Sequence, residues 1–186
     1  MPAMSIPNLI TIGRILLVPL TVWLIISGAY GLAFLAFVAA GVSDGVDGYI
    51  ARRWDARTEL GAYLDPVADK ALLVSVYVTL GLLKDLPAWL VILVVSRDVL
   101  IVGAIILSWV LDQPVAMRPV MLSKVNTAAQ IFLVVALLGA LAASFDLGYL
   151  LVGGSAAVAL LTAASGAQYL YEWVRHMASG EGGTPK

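Results

Sequence analysis

Six apolar stretches fill almost the whole chain, at 9–28, 31–52, 62–83, 88–110, 122–145 and 147–171. Each is close to the roughly 20 residues that a helix needs to cross the hydrocarbon core of a bilayer. Backbone in hydrocarbon must satisfy its own hydrogen bonds, which leaves only helices and closed barrels. These runs are unbroken and lack the in-and-out alternation of barrel strands. The chain is therefore read as an all-α integral membrane protein with six transmembrane helices. The breaks between runs carry turn chemistry: Ser27 to Gly31, Arg53 to Gly61, Lys84 to Pro87, Asp112 to Pro119 and Phe145 to Gly148. One domain is expected over residues 1–178, followed by a disordered tail at 179–186.

Composition excludes several classes of function. Of 186 residues, 61% are hydrophobic and 12% charged, and the mean hydropathy is +0.97, unlike an ordinary soluble domain. A net charge of -1 offers no basic face for phosphate backbones, so no nucleic acid partner is expected. The absence of cysteine removes disulfides, thiolate nucleophiles and cysteine-ligated metals. Basic residues set orientation, because Lys and Arg stay on the cytoplasmic side. Arg14, Arg52, Arg53, Arg57, Arg118, Lys124, Arg175 and Lys186 fall at one set of span ends, and Lys84 alone at the other. Both the N and C termini are thus expected in the cytoplasm. The first run is longer than a signal-peptide core and no basic residue precedes it, so it reads as a retained helix. Without a basic, acid-poor leader, a prokaryotic plasma membrane is the expected location.

Against this apolar background, four carboxylates stand out: Asp44 and Asp47 in the second run, Asp65 and Asp69 in the third. Each costs about 2.5–3.5 kcal/mol at the centre of a membrane helix. The first pair is spaced i, i+3 and the second i, i+4, so each pair shares one helical face. A short connection makes the two helices antiparallel neighbours with the four acids at one depth. At an effective dielectric near 20, like charges about 4 Å apart repel by roughly 4 kcal/mol. The quartet must therefore take up protons or hold cations. Oxygen-only donors favour Mg²⁺, Mn²⁺ or Ca²⁺ over zinc, and two such ions can clamp the attacking and leaving oxygens of a phosphoryl transfer. A proton or cation carrier, or ion pairing with buried basic residues, are the competing readings of the same acids. Gly45, Gly48, Ala51, Gly61 and Ala62 accompany them. Such small residues permit close helix packing and equally the approach of a nucleotide to the backbone.

The run Asp44-Gly45-Val46-Asp47-Gly48-Tyr49-Ile50-Ala51-Arg52, followed after eight residues by Gly61-Ala62-Tyr63-Leu64-Asp65-Pro66-Val67-Ala68-Asp69, resembles the signature of the CDP-alcohol phosphatidyltransferase family at every fixed position. The resemblance implies a six-span phosphotransferase fold in which Asp44, Asp47 and Asp65 hold two divalent cations, Mg²⁺ or Mn²⁺. Asp69 contributes to the metal site and acts as general base, and Gly48, Ala51, Arg52 and Gly61 line the CDP pocket. It also implies a homodimer. Asn8, Thr11 and Arg14 recur at one-turn spacing on the first helix and are candidate contacts for the nucleotide. For Asn8 the alternative is helix capping, and for Arg14 it is snorkelling to the headgroups.

Further segments extend the likeness: Ile6 to Arg14, Ser96-Arg97-Asp98, Ser123 to Thr127 and Thr162 to Ser165. Together they are most similar to the CMP-forming cardiolipin synthases, with the phosphatidylglycerophosphate synthases close behind. This implies transfer of a phosphatidyl group from CDP-diacylglycerol to phosphatidylglycerol, or alternatively to glycerol 3-phosphate. Both acceptors carry a phosphate, for which Arg97, Arg118 and Lys124 are the candidate partners. Arg97 lies inside the fourth span, where a charge needs a partner, and a bridge to Asp98 or another buried carboxylate is its structural alternative. His176 lies beyond the last span and reads as a headgroup-level residue. Trp89, Trp109, Tyr169, Tyr171 and Trp173 read as interfacial anchors.

Overall fold

The computed structural model describes the backbone of residues 6–53, 59–110 and 121–179, and within it the side chains of 13, 15–43, 70–104, 107 and 121–175. Six helices account for it: α1 Ile6–Ile26, α2 Tyr30–Arg53, α3 Glu59–Leu82, α4 Ala88–Val110, α5 Met121–Ala142 and α6 Tyr149–Ser179. No strand occurs among the described residues. Every apolar run of the sequence is a helix, with ends displaced by a few residues. The largest displacement is at α6, which continues past residue 171 because Glu172 to Ser179 contains no helix breaker. Of the tail expected at 179–186, Ser179 instead closes α6, and 180–186 lie outside the described residues.

Three helices end in the same backbone lock. After α1, Gly28 N–H donates to Ile25 O and Ala29 N–H to Leu24 O at 3.0 and 2.9 Å. The paired bonds from the first two residues beyond the cap are the Schellman arrangement, which requires one residue in the left-handed region. Gly28 supplies it without strain at φ 72°. The pattern repeats after α3, where Lys84 and Asp85 donate to Gly81 O and Leu80 O, and after α5, where Ser144 and Phe145 donate to Leu141 O and Ala140 O. There the left-handed residues are Lys84 at φ 68° and Ser144 at φ 53°, both of which carry a Cβ that disfavours it.

The distribution of side chains is inverted relative to a water-soluble domain. Large apolar residues face outward in mid-helix, among them Leu16, Leu35, Ile92, Leu100, Phe132 and Leu160, while Thr79, Arg97, Asp98, Asn126, Gln130, Ser155, Thr162 and Ser165 are buried. Exposed apolar faces on this scale need a non-aqueous neighbour. The hydroxyls of Thr21, Ser43, Thr79 and Thr127 donate to the carbonyl one turn back on their own helices. In hydrocarbon such internal bonds leave no polar atom needing water. Helix α5 and the stretch Tyr149–Arg175 of α6 are each long and apolar enough to cross a membrane.

Contacts group the chain into two units. The first comprises Met1–Leu86 with Val134–Gly148, the second Pro87–Leu133 with Tyr149–Lys186. In the first, α1 packs against both α2 and α3, and Ile25, Ala33, Phe37, Val76, Tyr77 and Leu80 form a closed core. Gly139 on α5 lets the Phe34 ring come within 3.5 Å of where a Cβ would stand. In the second, α4 packs against α6. Gly154 of α6 abuts Leu133 of α5, with only 3.0 Å available to a Cβ.

Candidate active site

Asp44 and Asp47 lie on α2, and Asp65 and Asp69 on α3, all in unbroken α-helix. The helical state is what their spacing needs, since i, i+3 and i, i+4 positions share a face only in a helix. Gly48, Ala51 and Arg52 follow on α2, Gly61 precedes the second pair on α3, and Asn8, Thr11 and Arg14 lie on α1. The side chains of these residues fall outside the described residues, as do all of Arg118 and the pairing of the two acidic faces. The donor set is the test that remains for a metal. Four carboxylates and no nitrogen or sulfur ligand in the motif suit a hard divalent cation such as Mg²⁺ or Mn²⁺. Among the described residues, which exclude these four side chains, no group of three or more His, Cys, Asp or Glu could hold one.

Arg97 is fully placed. It is 5% exposed on α4, with its neighbour Asp98 at 6%. Nη1 donates to Asp98 Oδ1 at 2.7 Å, and Nη2 donates to Ser123 Oγ at 2.6 Å and to Ser165 Oγ at 2.7 Å. The guanidinium carbon also lies 5.6 Å from the centre of the Tyr169 ring, within cation–π range. One side chain therefore ties α4 to the first turn of α5 and to α6. Gly166 makes room for it, because a Cβ there would stand 3.4 Å from Arg97 Cγ. The bridge to Asp98 that the sequence offered as the alternative to phosphate binding is present, and both terminal nitrogens are engaged within the protein. Of the three guanidinium nitrogens, Nε is the one buried without a hydrogen-bond partner among the described residues. Lys124 is exposed on α5 immediately after Ser123.

A second polar cluster lies between α5 and α6. Thr162 donates to Asn126 Oδ1 at 2.9 Å and accepts a longer bond, 3.4 Å, from Gln130 Nε2. Ser123, Asn126 and Gln130 recur at three- and four-residue intervals on α5, as do Thr162, Ser165 and Tyr169 on α6. These two polar stripes are the signal by which the partners of Arg97 could have been found from sequence. Of the expected interfacial aromatics, Trp89 and Tyr171 are exposed, whereas Tyr169 is turned toward Arg97. Alongside this seam, α4 and α6 enclose an almost wholly apolar cleft of about 570 Å³, lined by Leu93, Leu100, Ala104, Ala163 and Leu170 with Arg97 at its wall.

In the first unit, the Tyr30 hydroxyl donates to Asp85 Oδ2 at 3.4 Å. Burial pushes the Asp85 carboxyl above its usual range, and the bond from Tyr30 only partly offsets this.

The family model described as CDP-alcohol phosphatidyltransferase matches residues 4–167, from the start of α1 into α6. Human cardiolipin synthase (CMP-forming) is 36% identical over 152 residues, covering 73% of this chain and 50% of that protein. The chloroplastic CDP-diacylglycerol–glycerol-3-phosphate 3-phosphatidyltransferase 1 of Oryza sativa subsp. japonica is 35% identical over 152 residues, covering 73% and 46%. A putative cardiolipin synthase of Mycobacterium tuberculosis is 37% identical over 109 residues, covering 57% and 51%. The chain thus spans about half the length of the curated relatives it matches. A match over most of the six helices, with every fixed position of the acidic signature filled, decides the question of family: this membrane protein belongs to the CDP-alcohol phosphatidyltransferases.

Proposed function

We propose that the chain transfers a phosphatidyl group from CDP-diacylglycerol to the hydroxyl of a phosphate-bearing alcohol and releases CMP, with phosphatidylglycerol as the acceptor and cardiolipin as the product. The observation that carries this reading is the complete Asp44 to Asp69 signature on helical backbone in a chain of this family. In the proposed site Asp44, Asp47, Asp65 and Asp69 hold two divalent cations. The chemistry those ions supply is neutralisation of charge on the pyrophosphate bridge and a lowered pKa for the acceptor hydroxyl. Asp69 removes the hydroxyl proton. The acceptor oxygen then bonds to the phosphorus that carries the lipid, the bond from that phosphorus to the CMP oxygen breaks, and CMP leaves. Gly48, Ala51, Arg52 and Gly61 accommodate the CDP group, with Asn8 and Thr11 beside it. Arg97, Arg118 and Lys124 form the basic cluster on the side of the acceptor phosphate.

The same reading treats residues 1–178 as one domain of six spans. Its termini and active site face the cytoplasm, and it works as a homodimer in a prokaryotic plasma membrane. The count of basic residues at span ends supports the orientation, and the mycobacterial relative is consistent with that setting. Glycerol 3-phosphate is the alternative acceptor, favoured by the likeness to the rice protein.

The deciding experiment gives the purified protein CDP-diacylglycerol, Mg²⁺ or Mn²⁺, and one acceptor at a time, with products identified by mass. CMP and cardiolipin from phosphatidylglycerol are expected. Turnover with glycerol 3-phosphate alone would move the assignment to the alternative. Cation flux in vesicles without any CMP release would replace the transferase reading with a carrier.

A further inference from the structure

Arg97 presents an apparent contradiction. It is the basic residue set deepest among the described ones, yet its terminal nitrogens are spent on Asp98, Ser123 and Ser165. Its charge is balanced by a carboxylate at 2.7 Å, and it is 5% exposed. A guanidinium so neutralised and so enclosed attracts a further anion weakly, and binding one would mean displacing Asp98, Ser123 or Ser165 from it. Lys124 has the opposite character. It is exposed, flexible by nature, and separated by a single peptide bond from Ser123, whose hydroxyl Arg97 grips at 2.6 Å.

We propose that Arg97 is a positioning residue: its hydrogen bond to Ser123 fixes the first turn of α5 and so aims Lys124 at the acceptor's phosphate. The inference rests on the transferase reading above and reassigns Arg97 within it. Geometry supports the division of labour. A first helical turn has unsatisfied backbone donors and frays unless something outside the helix holds it. Here a buried ion pair on α4 provides the hold, itself steadied by Ser165 and the Tyr169 ring on α6. Lys124 then meets its ligand with less orientational freedom to lose, which is where preorganisation adds affinity.

The test compares Ser123→Ala, Ser165→Ala and Lys124→Gln in the full-length protein, with phosphatidylglycerol or glycerol 3-phosphate as the acceptor that turns over. Lys124→Gln and Ser123→Ala should each raise the acceptor KM roughly tenfold, leaving the KM for CDP-diacylglycerol unchanged. Adding Ser123→Ala to Lys124→Gln should have little further effect on acceptor KM, because both act through one contact. Ser165→Ala, which loosens Arg97 while leaving the tie to Ser123, should lower thermal stability and alter acceptor KM less. Amide exchange should quicken at the start of α5 in Ser123→Ala alone. That readout holds whether or not the enzyme turns over, and so separates failure of the clamp from failure of the transferase reading. Full additivity of Ser123→Ala and Lys124→Gln, an unchanged acceptor KM in either single variant, or unchanged exchange at α5 would each overturn the proposal.

Discussion

Replacing Asp98 by alanine tests the energetics of the α4 seam most directly. The variant leaves the Arg97 guanidinium in place, 5% exposed, with Ser123 and Ser165 still accepting from Nη2 but with its anion gone. Breaking a buried pair by removing one partner costs about 3–5 kcal/mol, because the remaining charge is uncompensated. For a chain of this length, each kcal/mol corresponds to about 2–4 °C, so the melting temperature should fall by about 6–20 °C. Asp98→Asn keeps an acceptor but loses the charge and should fall between the two. The control is the double variant Arg97→Met with Asp98→Leu. Removing both charges leaves neither member of this pair buried without the other, so its stability should lie near or above that of the wild type. Thermal unfolding of detergent-purified protein measures all four. A melting temperature for Asp98→Ala within about 2 °C of wild type, or a double variant as unstable as Asp98→Ala, would refute the account of Arg97 as a buried charge dependent on its neighbour.

Lys84→Gly and Ser144→Gly should each stabilise the protein by about 1 kcal/mol, since both positions hold a left-handed backbone that glycine adopts freely; melting temperatures that fall would contradict the capping geometry. Asp85 bears on pH. Its carboxyl is raised by burial, so its contribution to stability is present below the usual aspartate pKa and is lost as pH rises through the raised value. Asp85→Asn should therefore be more stable than wild type at neutral pH and lose that advantage in acid, as melting curves across pH would register. Asp69→Asn should lower turnover by about 10²–10⁴-fold if the carboxylate is the base, and full turnover by that variant would remove Asp69 from the role. Chelation of divalent cations should abolish CMP release, and Mg²⁺ or Mn²⁺ should restore it.

The helices were legible because membrane thickness imposes a length on apolar runs, and each of the six runs is a helix. Their ends were less so. Gly28 announces its turn, but the same lock after α3 and α5 is built on Lys84 and Ser144, residues with no preference for that backbone. Hydropathy also says nothing of where α6 stops, since Glu172 and Arg175 leave the apolar run without leaving the helix. Asp44, Asp47, Asp65 and Asp69 could be singled out because a carboxylate is so costly in hydrocarbon, and they lie within the stretch that the family model matches. Arg97 drew attention for the same reason. Sequence could not choose between its two roles, because whether a guanidinium is free depends on neighbours from α5 and α6 that lie 26 and 68 positions away.

The three locked helix ends carry an implication for biogenesis. In the proposed six-span arrangement with cytoplasmic termini, the stretches after α1, α3 and α5 would be the segments carried across the bilayer during insertion. Each is only a few residues long, so the polar cargo would be small, with Lys84, Asp85 and Asp146 its only formal charges. Under that arrangement consecutive helices would enter the membrane two at a time, joined by a short connection, while the longer and more basic stretches would stay on the side on which they are made.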